Sequence, residues 1–220
     1  MEAGTAAHAE LTRILANGLA AMQIDLPDGA QAQLLDYVEL LVKWNGTYNL
    51  TAVRDPAAMV SRHLLDSLAV LPHLHGATLA DLGSGAGLPG IPLALARPDL
   101  AVTLIESNGK KARFLREAVR SLPLPNVTVA QVRVQDAQGR FDTVTARAFA
   151  SLADMLDWGG HLLAGDGRWL ALKGHADAAE LAAVPAPFSV LVVHSLTVPG
   201  APGERCVIEL ARVTAPPMVG

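Results

Sequence analysis

The run Asp81-Leu82-Gly83-Ser84-Gly85-Ala86-Gly87-Leu88-Pro89-Gly90 follows a short apolar β-type stretch and opens a helical one. Its glycines let the chain turn sharply and let a ligand approach the backbone, while Pro89 suits the first turn of a helix. The chain beyond it repeats the same alternation. β-type runs at Thr78 to Leu82, Ala101 to Ile105, Val127 to Ala130, Asp142 to Ala146 and Arg168 to Leu172 are separated by Ile91 to Ala96, Lys110 to Leu122 and Leu152 to Leu163, each able to place apolar residues on one helical face. This predicts an α/β fold with a mostly parallel sheet covered on both sides. Phe188 to His194 and Arg205 to Leu210, joined by the Pro/Gly-rich Val198 to Gly203, predict an antiparallel hairpin at one sheet edge, for about seven strands in all.

The first quarter of the chain reads differently. Leu11, Ile14, Leu15, Leu19 and Met22 recur at helical spacing, as do Leu34, Leu35, Val38, Leu41 and Val42, and a further helical stretch runs from His63 to Leu71. We expect an N-terminal helical cap over residues 1–75, packed on a compact core over 76–220. With 220 residues, 51% of them apolar, one α/β domain plus such an element is accounted for. No run approaches the roughly 18 apolar residues of a membrane span, and the start lacks a basic signal-peptide region, so a cytoplasmic protein is expected. The single cysteine, Cys206, excludes an internal disulfide and a cysteine metal cage. A net charge of −4 speaks against coating nucleic acid by bulk electrostatics, so any RNA partner needs a local basic patch.

The loop is a nucleotide cradle, and Glu106 at the end of the second strand can accept both hydroxyl hydrogens of a ribose. Gly85 to Gly90 also fits the dinucleotide pattern G-x-G-x-x-G, so the glycines alone leave an NAD-type oxidoreductase open, as they do a turn that serves only packing. Asp81 separates the readings. Its carboxylate, two residues before Gly83, attracts an ammonium, directly or through water, and repels a pyrophosphate. The D-x-G-x-G-x-G pattern resembles the first motif of Rossmann-like class I methyltransferases.

More specific stretches flank this core. Lys43-Trp44-Asn45, Asn49-Leu50-Thr51-Ala52 and Arg62 to Leu68 precede it; Lys111-Ala112-Arg113-Phe114-Leu115, Phe141 to Ala150 and Ala171-Leu172-Lys173-Gly174 follow it. Together with Gly87-Leu88-Pro89-Gly90 they resemble, in unbroken order from about Leu34 to Gly174, the RsmG (GidB) family of bacterial small-subunit rRNA methyltransferases. The resemblance implies a class I methyltransferase sheet that transfers methyl from S-adenosylmethionine to N7 of one guanine in the 530 loop of 16S rRNA, leaving S-adenosylhomocysteine. The expected partner is this rRNA within the small subunit or an assembly intermediate, with naked rRNA left open as the true substrate. Gly83, Leu88, Val134, Gln135 and Arg147 match the family's cofactor contacts, to which the loop reading adds Asp81, Gly85, Gly87 and Glu106. Similar proteins often carry an acid where Gln135 stands; an amide still hydrogen-bonds to adenine but lacks the charge. A methyltransferase with another acceptor and a non-catalytic cofactor-binding module stay open.

Guanine N7 has a free lone pair, so methylating it needs orientation and no general base. The Asn-Pro-Pro-Tyr suited to adenine N6 is absent, and Ala146-Arg147-Ala148-Phe149 stands in its place. Arg147 is the expected activity residue, bridging the cofactor carboxylate or gripping a phosphate, with a structural ion pair as its other reading. Phe149 is a candidate to stack the target base or a core residue. Lys110, Lys111 and Arg113, with Arg116 and Arg120, concentrate charge on the helix after Glu106, which reads equally as RNA surface or solvated face. Arg62, His63 and Lys173 extend this patch, although His63 also reads as a ring holding helix to loop. Asp66 is expected to pair with Arg62 one turn away. No metal site is expected.

Overall fold

The computed structural model describes residues 2–147 and 150–213, with side chains from residue 6 onward. Two long helices, α1 (Glu2–Met22) and α2 (Ala30–Tyr48), lead into short turns: α3 (Pro56–Met59), a π-helical segment (Val60–Leu65), α4 (Asp66–Leu68) and a 3-10 turn (Leu71–His73). The alternating part follows as β1 (Thr78–Leu82), α5 (Gly90–Ala96), β2 (Ala101–Ile105), α6 (Gly109–Ser121), β3 (Val127–Ala130), β4 (Phe141–Arg147), α7 (Leu152–Gly159), β5 (Leu163–Lys173), α8 (Ala178–Ala182), β6 (Phe188–Ser195) and β7 (Cys206–Arg212).

The strands form one seven-stranded sheet in the order β3-β2-β1-β4-β5-β7-β6. β1 to β5 pair in parallel, while β7 runs antiparallel to both β5 and β6. The hairpin is thus where it was expected, with its second strand joining the sheet. Alternation along β1 sends Leu79 to one apolar cluster and Ala80 and Leu82 to another, as period-2 geometry requires. The first cluster joins Leu15, Leu34, Leu65 and Tyr37 of the N-terminal helices to Ile91 of α5 and Phe114 and Leu115 of α6. The second packs Met155 and Leu156 of α7 on Val144, Trp169 and Ile208.

Two expectations need correction. The helix foreseen over Leu152 to Leu163 stops at Gly159; a 3-10 turn (Gly160–Leu162) follows, and Leu163 already belongs to β5, opposite Phe141. Gly159 and Gly160 end it: a β-carbon on Gly160 would lie 2.7 Å from the Phe188 ring, so close packing there requires glycine. The stretch from His63 to Leu71 is likewise not one regular helix. Its wide π-helical turn is the kind of local distortion that often accompanies functional sites.

Candidate active site

Register fixes the candidate site before any side chain is considered. Leu82 pairs with Ile105 and with Ala146, Ile105 with Ala130, and Arg147 with Leu172. The residues at or just past the strand ends, Gln131, Glu106, Gly83, Arg147 and Lys173, therefore form one row along the carboxyl edge of the sheet. Strand order reverses between β1 and β4, the switch point at which open α/β sheets bind ligands.

The glycine loop is held from below. Gly83, Gly85 and Gly87 all have positive φ, 63°, 59° and 87°. A β-carbon on Gly85 would meet only the Gly83 carbonyl oxygen at 3.7 Å, whereas one on Gly87 would sit 2.4 Å from Ile91 Cδ1. Gly85 thus faces open space and Gly87 packs. Glu106 braces the loop, accepting from Gly85 N at 3.0 Å and from Asn108 N at 2.7 Å.

Asp81 lies fully buried beneath the loop. Its Oδ2 accepts from Gly90 N at 3.1 Å, while Oδ1 is buried with no hydrogen-bond partner. Burial, only partly offset by the Gly90 bond, pushes this carboxyl up to about 7. A buried acid with an open acceptor atom fits a cationic ligand group, and the loop above it has a glycine that leaves space. Tyr37, also fully buried, donates its hydroxyl to the Ala86 carbonyl at 2.5 Å. Burial and the Asp81 charge hold that hydroxyl well above the usual phenol range, so it stays a neutral donor.

At the far side of the row Arg147 Nη2 meets Asp66 Oδ2 at 3.0 Å and the Arg62 carbonyl at 3.3 Å. The other oxygen of Asp66 takes Arg205 Nε at 2.6 Å. Beside this trio lies a hollow of about 210 Å³ reached also by Lys173 and Cys206. The expected Arg62–Asp66 pair is absent: Arg62 is exposed, and the guanidiniums of Arg147 and Arg205 engage the carboxylate instead. The Cys206 thiol is pushed up by burial and the Glu204 charge, and so stays protonated.

The antiparallel β7 decides between the nucleotide readings, because the dinucleotide-binding sheet continues its parallel order with a sixth parallel strand. Residues 30–208 match the family described as GidB, rRNA small subunit methyltransferase G. The chain belongs to this family. Members named ribosomal RNA small subunit methyltransferase G include that of Xanthomonas campestris pv. campestris (strain B100), 56% identical over 198 residues, 89% of this chain and 92% of the relative. That of Stenotrophomonas maltophilia (strain K279a) is 53% identical over 210 residues, 94% and 97% of the two chains. Among solved structures, the ribosomal protein L11 methylase from Lactobacillus delbrueckii subsp. bulgaricus superposes with a TM-score of 0.52 at 17% identity, covering 73% of this chain and 80% of that one. This last likeness concerns the fold, the class I methyltransferase sheet.

The chain brings most of the residues singled out in its sequence to one rim. Gly83, Gly85, Gly87 and Leu88 lie in the loop, and Val134 and Gln135 form a 3-10 turn past β3. Lys110, Arg113 and Arg62 are exposed and Lys111 is half-buried. Phe149 lies outside the described residues. His63 leaves the RNA patch: its ring is buried, bonded to Thr51 Oγ1 at 2.8 Å and the Arg62 carbonyl at 2.9 Å. Burial and the Arg147 charge push it down to about 4, so it is a neutral strut between helix and loop. Lys173 is tied to Glu180 at 2.8 Å and to the Ala150 carbonyl at 2.9 Å, which anchors β5 to α8. Sequence reasoning missed Tyr37, Asp66 as the centre of a trio, and Arg205. Tyr37 sits among core residues of an apolar helix face, and Arg205 lies 139 positions from its partner, so spacing gave no signal.

Proposed function

We propose that this protein transfers a methyl group from S-adenosylmethionine to N7 of one guanine in the 530 loop of 16S rRNA, in the cytoplasm, with the small subunit or an assembly intermediate as the substrate form. What carries this reading is a family match that spans the glycine loop, Glu106 and Arg147 together. When bound, the cofactor supplies an electrophilic methyl group on sulfur. The open Oδ1 of Asp81 is suited to its ammonium. Glu106 keeps acceptor capacity beyond its two backbone bonds for ribose hydroxyls. Val134 and Gln135 would flank the adenine, Leu88 and the glycines would close around the remainder, and Arg147 would orient the carboxylate or the target.

The guanine brings its own lone pair, so the work left to the chain is alignment and exclusion of water. Arg147 is suited to alignment because Asp66 and the Arg62 carbonyl fix its guanidinium. The N-terminal helices act as a cap packed on the core, a reading supported by the apolar cluster that α1 and α2 share with α5 and α6. Among the described residues no helix is long and apolar enough to cross a membrane, and no group of three or more metal-ligating side chains occurs.

The test is methyl transfer from labelled S-adenosylmethionine to small subunits from a strain lacking this enzyme, with the base located by cleavage chemistry specific for 7-methylguanine. Label at one 530-loop guanine, reduced at least 100-fold by Arg147→Ala, is expected if alignment dominates the rate. Label elsewhere assigns another acceptor, and cofactor binding without label on subunits or free rRNA assigns a non-catalytic module.

A further inference from the structure

Between the end of α2 and the outer face of α6 runs an open groove of about 790 Å³, lined by Tyr48, Lys110, Arg113, Arg116 and Gln131, with no carboxylate among the described residues that line it. On this chain of net charge −4, five arginines outside the groove are tied to acids: Arg97 to Asp99, Arg120 to Glu117, Arg168 to Glu209, and Arg147 and Arg205 to Asp66. In the groove the partners are neutral. Arg113 meets the Tyr48 hydroxyl, and Arg116 donates to Gln131 Oε1 at 3.0 Å. These bonds aim the guanidiniums without cancelling their charge, so the groove holds a concentrated positive field on an acidic protein.

Aromatic rings adjoin these cations. Trp44 and Tyr48 lie 5.0 Å apart between ring centres, and a second hollow, which shares Tyr48, Arg113 and Arg116 with the first, is lined by both rings and also by the Arg120–Glu117 pair. Cations that track a backbone beside rings that accept bases are the means by which proteins hold single-stranded nucleic acid. Position agrees with this. The groove begins at Asn108, whose amide bonds to Glu106, so a strand lying in it ends at the rim that carries the glycine loop.

We propose that this groove binds the single-stranded rRNA segment adjoining the methylated guanine, with Arg113 and Arg116 on its phosphates and one unstacked base on Tyr48. The proposal rests on the rRNA methyltransferase reading for the identity of the strand. The experiment is filter binding of a synthetic RNA of the 530 loop, at a series of salt concentrations, to the full chain and to Arg113→Gln/Arg116→Gln, Tyr48→Ala and, as control, Arg97→Gln. The double variant should bind about tenfold or more weakly at the lowest salt, with a slope of log affinity against log salt smaller by about 1.4, two contacts at roughly 0.7 each for single strands. Tyr48→Ala should weaken binding about tenfold with the slope retained. Arg97→Gln should match the wild type. Unfolding temperature and S-adenosylhomocysteine binding exclude a folding defect.

Equal affinity and slope for the double variant overturn the proposal, and so does a wild type that does not retain the RNA. Methyl transfer to small subunits from a strain lacking this enzyme is measured in parallel. RNA binding through the groove with no methylated product removes the methyltransferase reading and leaves the groove; methylation by the double variant at the wild-type KM removes the groove and leaves the activity.

Discussion

Tyr37→Phe removes one oxygen atom from a fully buried ring whose only consequence for shape is the lost bond to the Ala86 carbonyl. The Ala86 carbonyl then loses a buried donor, at a cost of about 1–3 kcal/mol. Taking the middle of that range, a chain of this size should unfold about 4–8 °C lower, at roughly 2–4 °C per kcal/mol. The same bond holds the glycine loop in position without a ligand. Losing it transfers ordering of the loop to the binding event, and a net hydrogen bond of about 1 kcal/mol then weakens S-adenosylhomocysteine by up to about fivefold. Differential scanning calorimetry gives the first number and isothermal titration the second. An unchanged unfolding temperature refutes the hydrogen-bond argument. A lower temperature with unchanged affinity refutes the coupling of helix α2 to the loop and leaves Tyr37 a core residue alone.

Two glycines of the loop should separate packing from binding. Gly87→Ala drives a methyl group into Ile91 at positive φ and should lower stability by about 2 kcal/mol or more, whereas Gly85→Ala carries mainly the backbone cost of about 1–2 kcal/mol and should abolish cofactor binding in calorimetric titration. Comparable affinity loss in both, after correction for folding, would sink that distinction. Asp81 gives a pH signature: its carboxyl is raised in the fold, so its contribution to ligand-free stability is complete below pH 4 and disappears as pH rises through about 7. Asp81→Asn should therefore gain stability relative to the wild type between pH 4 and pH 8, and parallel profiles of unfolding temperature would contradict the burial argument.

The parts legible in the sequence are those set by local rules. β1, β2 and β3 begin and end where the apolar runs do, because each is a fully or half-buried parallel strand bounded by turn residues. The glycine loop and Glu106 were readable because backbone conformation and strand ends are local properties. The rest depended on partners far along the chain. Asp66 has an arginine one turn before it, yet the structure gives it Arg147 and Arg205, which only the closing of the sheet brings near. Leu162 and Leu163 keep a helical period, but the packing of Phe188 over Gly160 ends the helix first. His63 read both as part of a basic patch and as a ring holding helix to loop, and its burial and two hydrogen bonds, which sequence does not disclose, favour the second.

The apolar cluster that Leu34 and Leu35 of α2 enter is completed by Phe114 and Leu115 of α6 and by Val207 of β7. α2 packs against α5 and α6, and about 70 residues separate its end at Tyr48 from the end of α6 at Ser121, which at about 5–20 residues per second is roughly 4–15 seconds of synthesis. α2 thus keeps its apolar side uncovered until α6 has left the ribosome. Products truncated before α6 should accumulate as aggregates rather than as smaller folded proteins.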